Sequence, residues 1–127
     1  MLINIIKKFR RFLMRFRYPV SLPEDIAQDL GITFSHPPSF DELIKYLIDP
    51  RCCPERLKKF MAREDAEAAF DLACRKEKFL QNSLFSYYFT EGWLEFVLQF
   101  DNQGRLRRIY VQHQKIQQDE GAEILLT

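Results

Sequence analysis

Three cysteines, two histidines and several paired carboxylates carry the ligating and nucleophilic chemistry of this 127-residue chain. Cys52 and Cys53 are adjacent, a poor spacing for tetrahedral zinc, whose paired cysteines normally stand two or more residues apart. Only His36 and His113 would complete a set with Cys74, so the sequence predicts no metal and, in the absence of any cofactor signature, no cofactor. Cys53 precedes Pro54, a good first-turn residue, and a helix beginning there would favour the thiolate. No base stands near it in sequence, and it reads as a helix-leading thiol and not as a nucleophile. The acid pairs Glu24–Asp25 and Glu64–Asp65 fall at helix starts, where carboxylates stabilise the macrodipole. The expectation is a protein that is not an enzyme.

The strongest chemical signal is at the N-terminus, where residues 1–18 hold six Lys or Arg and no acid. At about 100° per residue, Leu2, Ile5, Ile6, Phe9, Phe12, Leu13 and Phe16 share a sector roughly 120° wide. Lys7, Lys8, Arg10, Arg11, Arg15 and Arg17 occupy the remainder. A cationic amphipathic helix follows, with those six residues as contacts for anionic head groups. Phe9, Phe12 and Phe16 are the side chains to insert at the interface or to dock. Each basic residue near an anionic leaflet is worth about 1 kcal/mol. Each fully buried Phe adds roughly 1.5–3 kcal/mol. The same stripe also suits the domain's own core, a second copy or a partner protein's groove. Nucleic acid needs the charges but not a continuous apolar face; as the alternative function it would use this helix together with the strand Arg105–Arg108.

Charge divides the chain unevenly. Residues 1–18 contribute +6, and the remaining 13 basic against 18 acidic residues give −5, so anionic partners should meet the first eighteen residues. Charges interrupt every apolar run before it reaches the length of about eighteen residues that a membrane span needs. A secretory signal would place its positive charges ahead of an unbroken apolar stretch, whereas here they are interspersed. A mitochondrial presequence shares the Arg-rich, acid-poor character but is usually richer in Ser. An odd number of cysteines suggests free thiols in a reducing compartment, and the expected location is cytoplasmic, peripheral to a membrane.

Behind that segment the length suits one domain, residues 19–127. Ser21, Pro23 and Glu24 form a helix start, with Gly31 as its stop. TFSHPPSF is a loop, because Pro37 and Pro38 cannot both lie inside a helix. Ser39 with Glu42 makes a capping box for a helix carrying Leu43, Ile44, Leu47 and Ile48. Pro54 opens another with Leu57, Phe60 and Met61 on its apolar side. A fourth helical pattern runs from about Arg63 to Leu80, with Ala66, Ala69, Phe70, Ala73 and Cys74 as its stripe.

From residue 84 the periodicity becomes two. Residues 84–89 are aromatic and strand-like, and in 93–100 Leu94, Phe96, Leu98 and Phe100 face one way against Trp93, Glu95, Val97 and Gln99. Residues 101–104, Asp-Asn-Gln-Gly, are a hairpin turn into RLRRIYVQHQ, and residues 123–126 add an edge strand. The expected class is α+β: the N-terminal amphipathic helix, three to four short helices over about 22–80, then an antiparallel sheet of three to four strands over about 84–127. Tyr87, Tyr88, Phe89 and Trp93 beside Arg105, Arg107 and Arg108 have the composition of a single-strand nucleic-acid platform, but alternation places most of these aromatics between sheet and helices.

Two likenesses bear on layout. PEDIAQDLGIT resembles the first helix and turn of helix-turn-helix regulators, with Ala27 and Gly31 at the close crossing. It departs from them where Pro37 and Pro38 replace the recognition helix and no Lys or Arg falls between Tyr18 and Lys45. FTEGWLEFVLQFDNQGRLRRIYV, preceded by MAREDAEAAF, resembles the helices-then-hairpin arrangement of the SmpA/OmlA lipoproteins of bacterial envelope assembly. The lipid-carrying cysteine near the N-terminus of those proteins has no counterpart here, so the resemblance implies layout alone.

Overall fold

The computed structural model describes residues 18–116 and 121–127; the proposed N-terminal helix lies outside them. Three helices precede an antiparallel sheet: α1 (Pro23–Leu30), α2 (Phe40–Ile48), α3 (Arg63–Ala68), then β1 (Arg75–Phe79), β2 (Asn82–Phe89), β3 (Gly92–Phe100), β4 (Leu106–Gln112) and β5 (Ala122–Ile124). The strands lie in chain order, each pairing with the next. The α+β class holds, and the sheet has five strands where three to four were expected.

The core lies between one face of the sheet and the helices. Phe85, Tyr87, Leu94, Phe96, Leu98, Ile109 and Val111 meet Ile26 and Leu30 of α1 and Leu43 and Leu47 of α2 in one buried cluster. Phe70, just beyond α3, stacks on Phe85 with ring centroids 4.4 Å apart, and Phe40 packs 4.9 Å from Phe89. The alternation read in β3 is observed: Leu94, Phe96, Leu98 and Phe100 are buried, while Trp93, Glu95, Val97 and Gln99 are half-buried on the opposite face. Asp101 shapes the β3–β4 turn, its Oδ1 accepting from the N–H groups of Gln103 and Arg105 at 2.9 Å each. Gly104 takes φ +72°, which glycine adopts without steric cost.

Local signals fixed two helices well. Ser39 and Glu42 form the expected capping box. Gly31, at φ +71°, ends α1, and a Cβ there would lie 2.7 Å from Arg56 Cγ. The cap of α1 is Leu22, one residue later than the predicted Ser21: Asp25 Oδ2 accepts its N–H at 2.9 Å. Ser21 instead ties the chain to the sheet, its N–H donating to the Tyr88 carbonyl at 2.7 Å.

Two helical expectations fail, each because the backbone is engaged elsewhere. The segment after Pro54 forms turns. Phe60 and Arg63 donate to the carbonyls of Leu106 and Gly104, Leu106 donates back to Met61, and Phe60 sits at φ +69°. The helix read from Arg63 to Leu80 stops at Ala68, and Arg75–Phe79 is an edge strand. Leu72 N–H donates to Asp29 Oδ2 and Cys74 N–H to the Ser86 carbonyl, which carries the chain out of the helix and into the sheet. The dense charge of β1 suits an edge, where it discourages further strand pairing.

Candidate functional site

Lys7, Lys8, Arg10, Arg11, Arg15 and Arg17, with Phe9, Phe12 and Phe16, lie outside the described residues. What the structure supplies is the place where that segment joins the body. The Tyr18 ring stands edge-on to Trp93, centroids 5.2 Å apart. Tyr88 lies 5.1 Å from the same indole and the Arg75 guanidinium 5.7 Å from it. Trp93 and Tyr88 are paired across β2 and β3 and belong to the sheet face opposite the helices. Tyr18, the residue that follows the basic segment, therefore seats on the outer face of the sheet.

Pairing sets out that face in rows. Glu77, Leu84, Val97, Tyr110 and Glu123 are cross-strand neighbours in sequence from β1 to β5. Arg75, Ser86, Glu95 and Gln112 form the next row toward Trp93. Leu84, Val97 and Tyr110 are half-buried, an apolar centre with carboxylates at both ends of its row.

Of the arginines of the proposed basic strand, Arg108 pairs with Gln99 and so shares the outer face with Trp93 and Tyr88, whereas Arg107 turns to Asp101 and Phe60. A bulge opposite Gln99 and Phe100 pairs Phe100 with Leu106 and Gln99 with Arg108, leaving Arg107 as the extra residue. Strict alternation along the strand would set Arg105 and Arg107 on one face and Arg108 on the other, and the bulge breaks that alternation at Arg107. Arg107 donates from Nε to Asp101 Oδ2 at 3.0 Å and stacks 4.7 Å from the Phe60 ring. Hydrogen bonds from the Arg105 backbone, and then from Arg107 itself, hold the Asp101 carboxyl below its ordinary range. Tyr87 and Phe89 point into the core.

The nucleophilic and ligating groups are dispersed. Among the described residues no three His, Cys, Asp or Glu are placed to hold a metal ion. Cys53 is exposed and is followed by turns, which corrects the expected helix N-terminus. Burial pushes the Cys52 thiol up to about 12. An aromatic thiol reagent at pH 8 is accordingly expected to label Cys53 first and Cys52 only after denaturation, since protonated, buried thiols are inert. Mass mapping of the labelled peptides checks this; equal labelling of the two would contradict the burial of Cys52.

Sequence reasoning missed two polar constellations. Ser35 Oγ lies 3.2 Å from His36 Nδ1, and His36 Nε2 lies 3.0 Å from Glu42 Oε2, beside an open hollow of about 430 Å³ between α1 and the loop 32–38. The composition is that of a nucleophile relay. All three residues are exposed, however, and the Glu42 carboxylate also caps α2, so the chain lacks the dry setting in which such electrostatics become strong. The second is buried: Tyr87 Oη donates to Asp29 Oδ2 at 2.6 Å, fastening α1 to β2. Desolvation raises the Asp29 pKa above its ordinary value, against the lowering effect of those hydrogen bonds. His113 is buried too; Lys115 N–H donates to its Nδ1, so Nε2 carries the proton and donates to the Glu91 carbonyl. Burial holds it below its ordinary pKa.

In comparisons with known proteins, no family model, no curated protein and no solved structure matches the chain. No described helix is long and apolar enough to cross a membrane.

Proposed function

We propose that this protein is a small non-catalytic interaction domain, cytoplasmic, held at an anionic membrane surface by a basic amphipathic helix over residues 1–18. The carrying observation is the separation of six cations from a continuous Leu/Ile/Phe stripe within those residues, set against a body of net charge −5. Lys7, Lys8, Arg10, Arg11, Arg15 and Arg17 meet head groups, and Phe9, Phe12 and Phe16 enter the acyl boundary. The anchoring of Tyr18 against Trp93 supports the reading, because it gives the tether a fixed root on the body.

Full-length protein is expected to co-sediment with phosphatidylserine vesicles and not with neutral ones. Replacing Arg10, Arg11 and Arg15 by Gln should weaken that binding about 100-fold, at about 1 kcal/mol per charge. Undiminished binding by the triple variant, or equal binding to neutral vesicles, would end the reading. So would tight binding to mixed-sequence DNA or RNA with a steep salt slope, which is the signature of counterion release in the alternative, nucleic-acid function.

A further inference from the structure

An antiparallel sheet covered by helices on one face leaves the other to solvent, and solvent faces are ordinarily polar. Here the outer face carries Leu84, Val97 and Tyr110 side by side across β2, β3 and β4, with Trp93 and Tyr88 one end nearer the chain's entry. Phe79, on β1, adds a largely exposed ring at the far end. Cross-strand pairs of this kind bury apolar area against one another, and the remainder only where something lies over them.

We propose that this outer face is the docking site for the chain's own residues 1–17, which lie on it with the Leu/Ile/Phe stripe down when no membrane is present. Three observations select that occupant. First, Tyr18 is already seated against Trp93, so the segment emerges directly at the edge of the patch. Second, the lengths agree. Seventeen helical residues span about 25 Å, and the path from Trp93 to Gln99 along β3 is about 20 Å. Third, the charges agree. The outer face carries three carboxylates, Glu77, Glu95 and Glu123, against two arginines, Arg75 paired with Glu77 and Arg108 opposite Gln99, so its balance is negative, while the helix flanks carry six cations and no acid. Side chains of Lys and Arg on those flanks reach past the apolar contact to such carboxylates.

The inference rests on the amphipathic reading of residues 1–18 but not on membrane binding. One stripe cannot face the sheet and the bilayer together. Docking therefore competes with insertion and lowers the apparent affinity for vesicles by the fraction of molecules with the segment free.

Trp93 is the only tryptophan in the chain and reports on the site directly. In vesicle-free buffer, the full chain carrying Phe9→Ser, Phe12→Ser and Phe16→Ser should show Trp93 emission shifted to the red. Its acrylamide quenching should rise about twofold as a half-covered indole becomes open. An unchanged spectrum and quenching constant would overturn the proposal, and so would shielding that disappears on dilution, which would make the occupant a second copy. Val97→Asp attacks the site from the sheet side and should raise affinity for anionic vesicles about tenfold by freeing the segment. Should that variant fail to fold, the Phe variant still decides, because it changes no residue of the described buried cluster. Wild-type and Val97→Asp protein that both ignore vesicles while the Phe variant opens Trp93 support docking and refute the membrane reading. Vesicle binding with Trp93 indifferent to the Phe variant overturns docking.

Discussion

Phe96→Ala is expected to destabilise the fold by about 3–5 kcal/mol through the cavity it leaves. Phe96 has no solvent exposure and sits mid-way along the central strand, between Phe85 on β2 and Val111 on β4. Above it the Phe70 ring lies 5.5 Å away and Tyr87 meets it edge-on at 5.8 Å. Phe70 and Tyr87, both packed on the Phe96 ring, cannot close over a lost phenyl without shifting β2 or the segment after α3. A loss of this size is a large part of the roughly 5–15 kcal/mol that holds a domain folded. Glu95→Ala, one residue away on the outer face, should cost only about 0.5–1.5 kcal/mol, the value of the hydrogen bond its carboxylate accepts from Ser86 Oγ at 3.2 Å. Urea titrations of the two variants test the register, since a slip of one residue would exchange their faces. Comparable losses would contradict it.

That pair of sites marks where the sequence was most readable. β3 alternates cleanly because one face of its sheet is buried and the other is not, so each side chain's type follows its direction. Turn and cap chemistry was readable for the same local reason: Asp101, Gly104, Ser39, Glu42 and Gly31 act on backbone groups within a few residues of themselves. β1 was not readable. Its sequence, Arg-Lys-Glu-Lys-Phe, has no apolar alternation, and the stripe ending at Cys74 extends a helical period into it. What makes it a strand is non-local, the pairing of Arg75 to Phe79 with Ser86 to Asn82.

The segment 54–61 failed for a related reason. Pro54 is a valid helix start, but the backbone from Phe60 to Arg63 is taken by Gly104 and Leu106, more than forty residues later. Of the expected stripe, Leu57 is buried and Met61 half-buried but Phe60 is exposed, so burial was foreseeable only in part. Of the candidate site, charge and amphipathicity were readable because they are properties of the segment itself. The outer-face patch that faces it was not, since Leu84, Val97 and Tyr110 become neighbours only through strand register. Arg107 shows the limit within one strand: the bulge beside Phe100 inverts the alternation, and no residue of RLRRIY announces it.

Asp29 gives the second large effect. Its carboxylate is 1 % exposed, and one oxygen accepts both Tyr87 Oη at 2.6 Å and Leu72 N–H at 2.9 Å. Through them it ties α1 to the sheet and to the turn that leads into β1. Asp29→Ala strands the buried Tyr87 hydroxyl and the part-buried Leu72 N–H at about 1–3 kcal/mol each, so a loss of about 2–6 kcal/mol is expected. Asp29→Asn keeps an acceptor for both donors while removing a buried charge, and should be close to neutral or stabilising at pH 7. The pH dependence separates the contributions. Because burial raises the Asp29 pKa above 3.8, the folded state binds its proton more tightly than the unfolded state does. The associated stability is fully present below the unfolded value and is lost as pH rises through the folded one. Wild type should therefore gain on Asp29→Asn as pH falls from neutral toward 3.8, with both proteins weakening in acid for other reasons. Denaturant midpoints measured in parallel at pH 7 and pH 4.5 give the difference directly. A wild-type advantage that shrinks on acidification would mean that the ionised carboxylate is the favoured form, with its hydrogen bonds outweighing desolvation at this site.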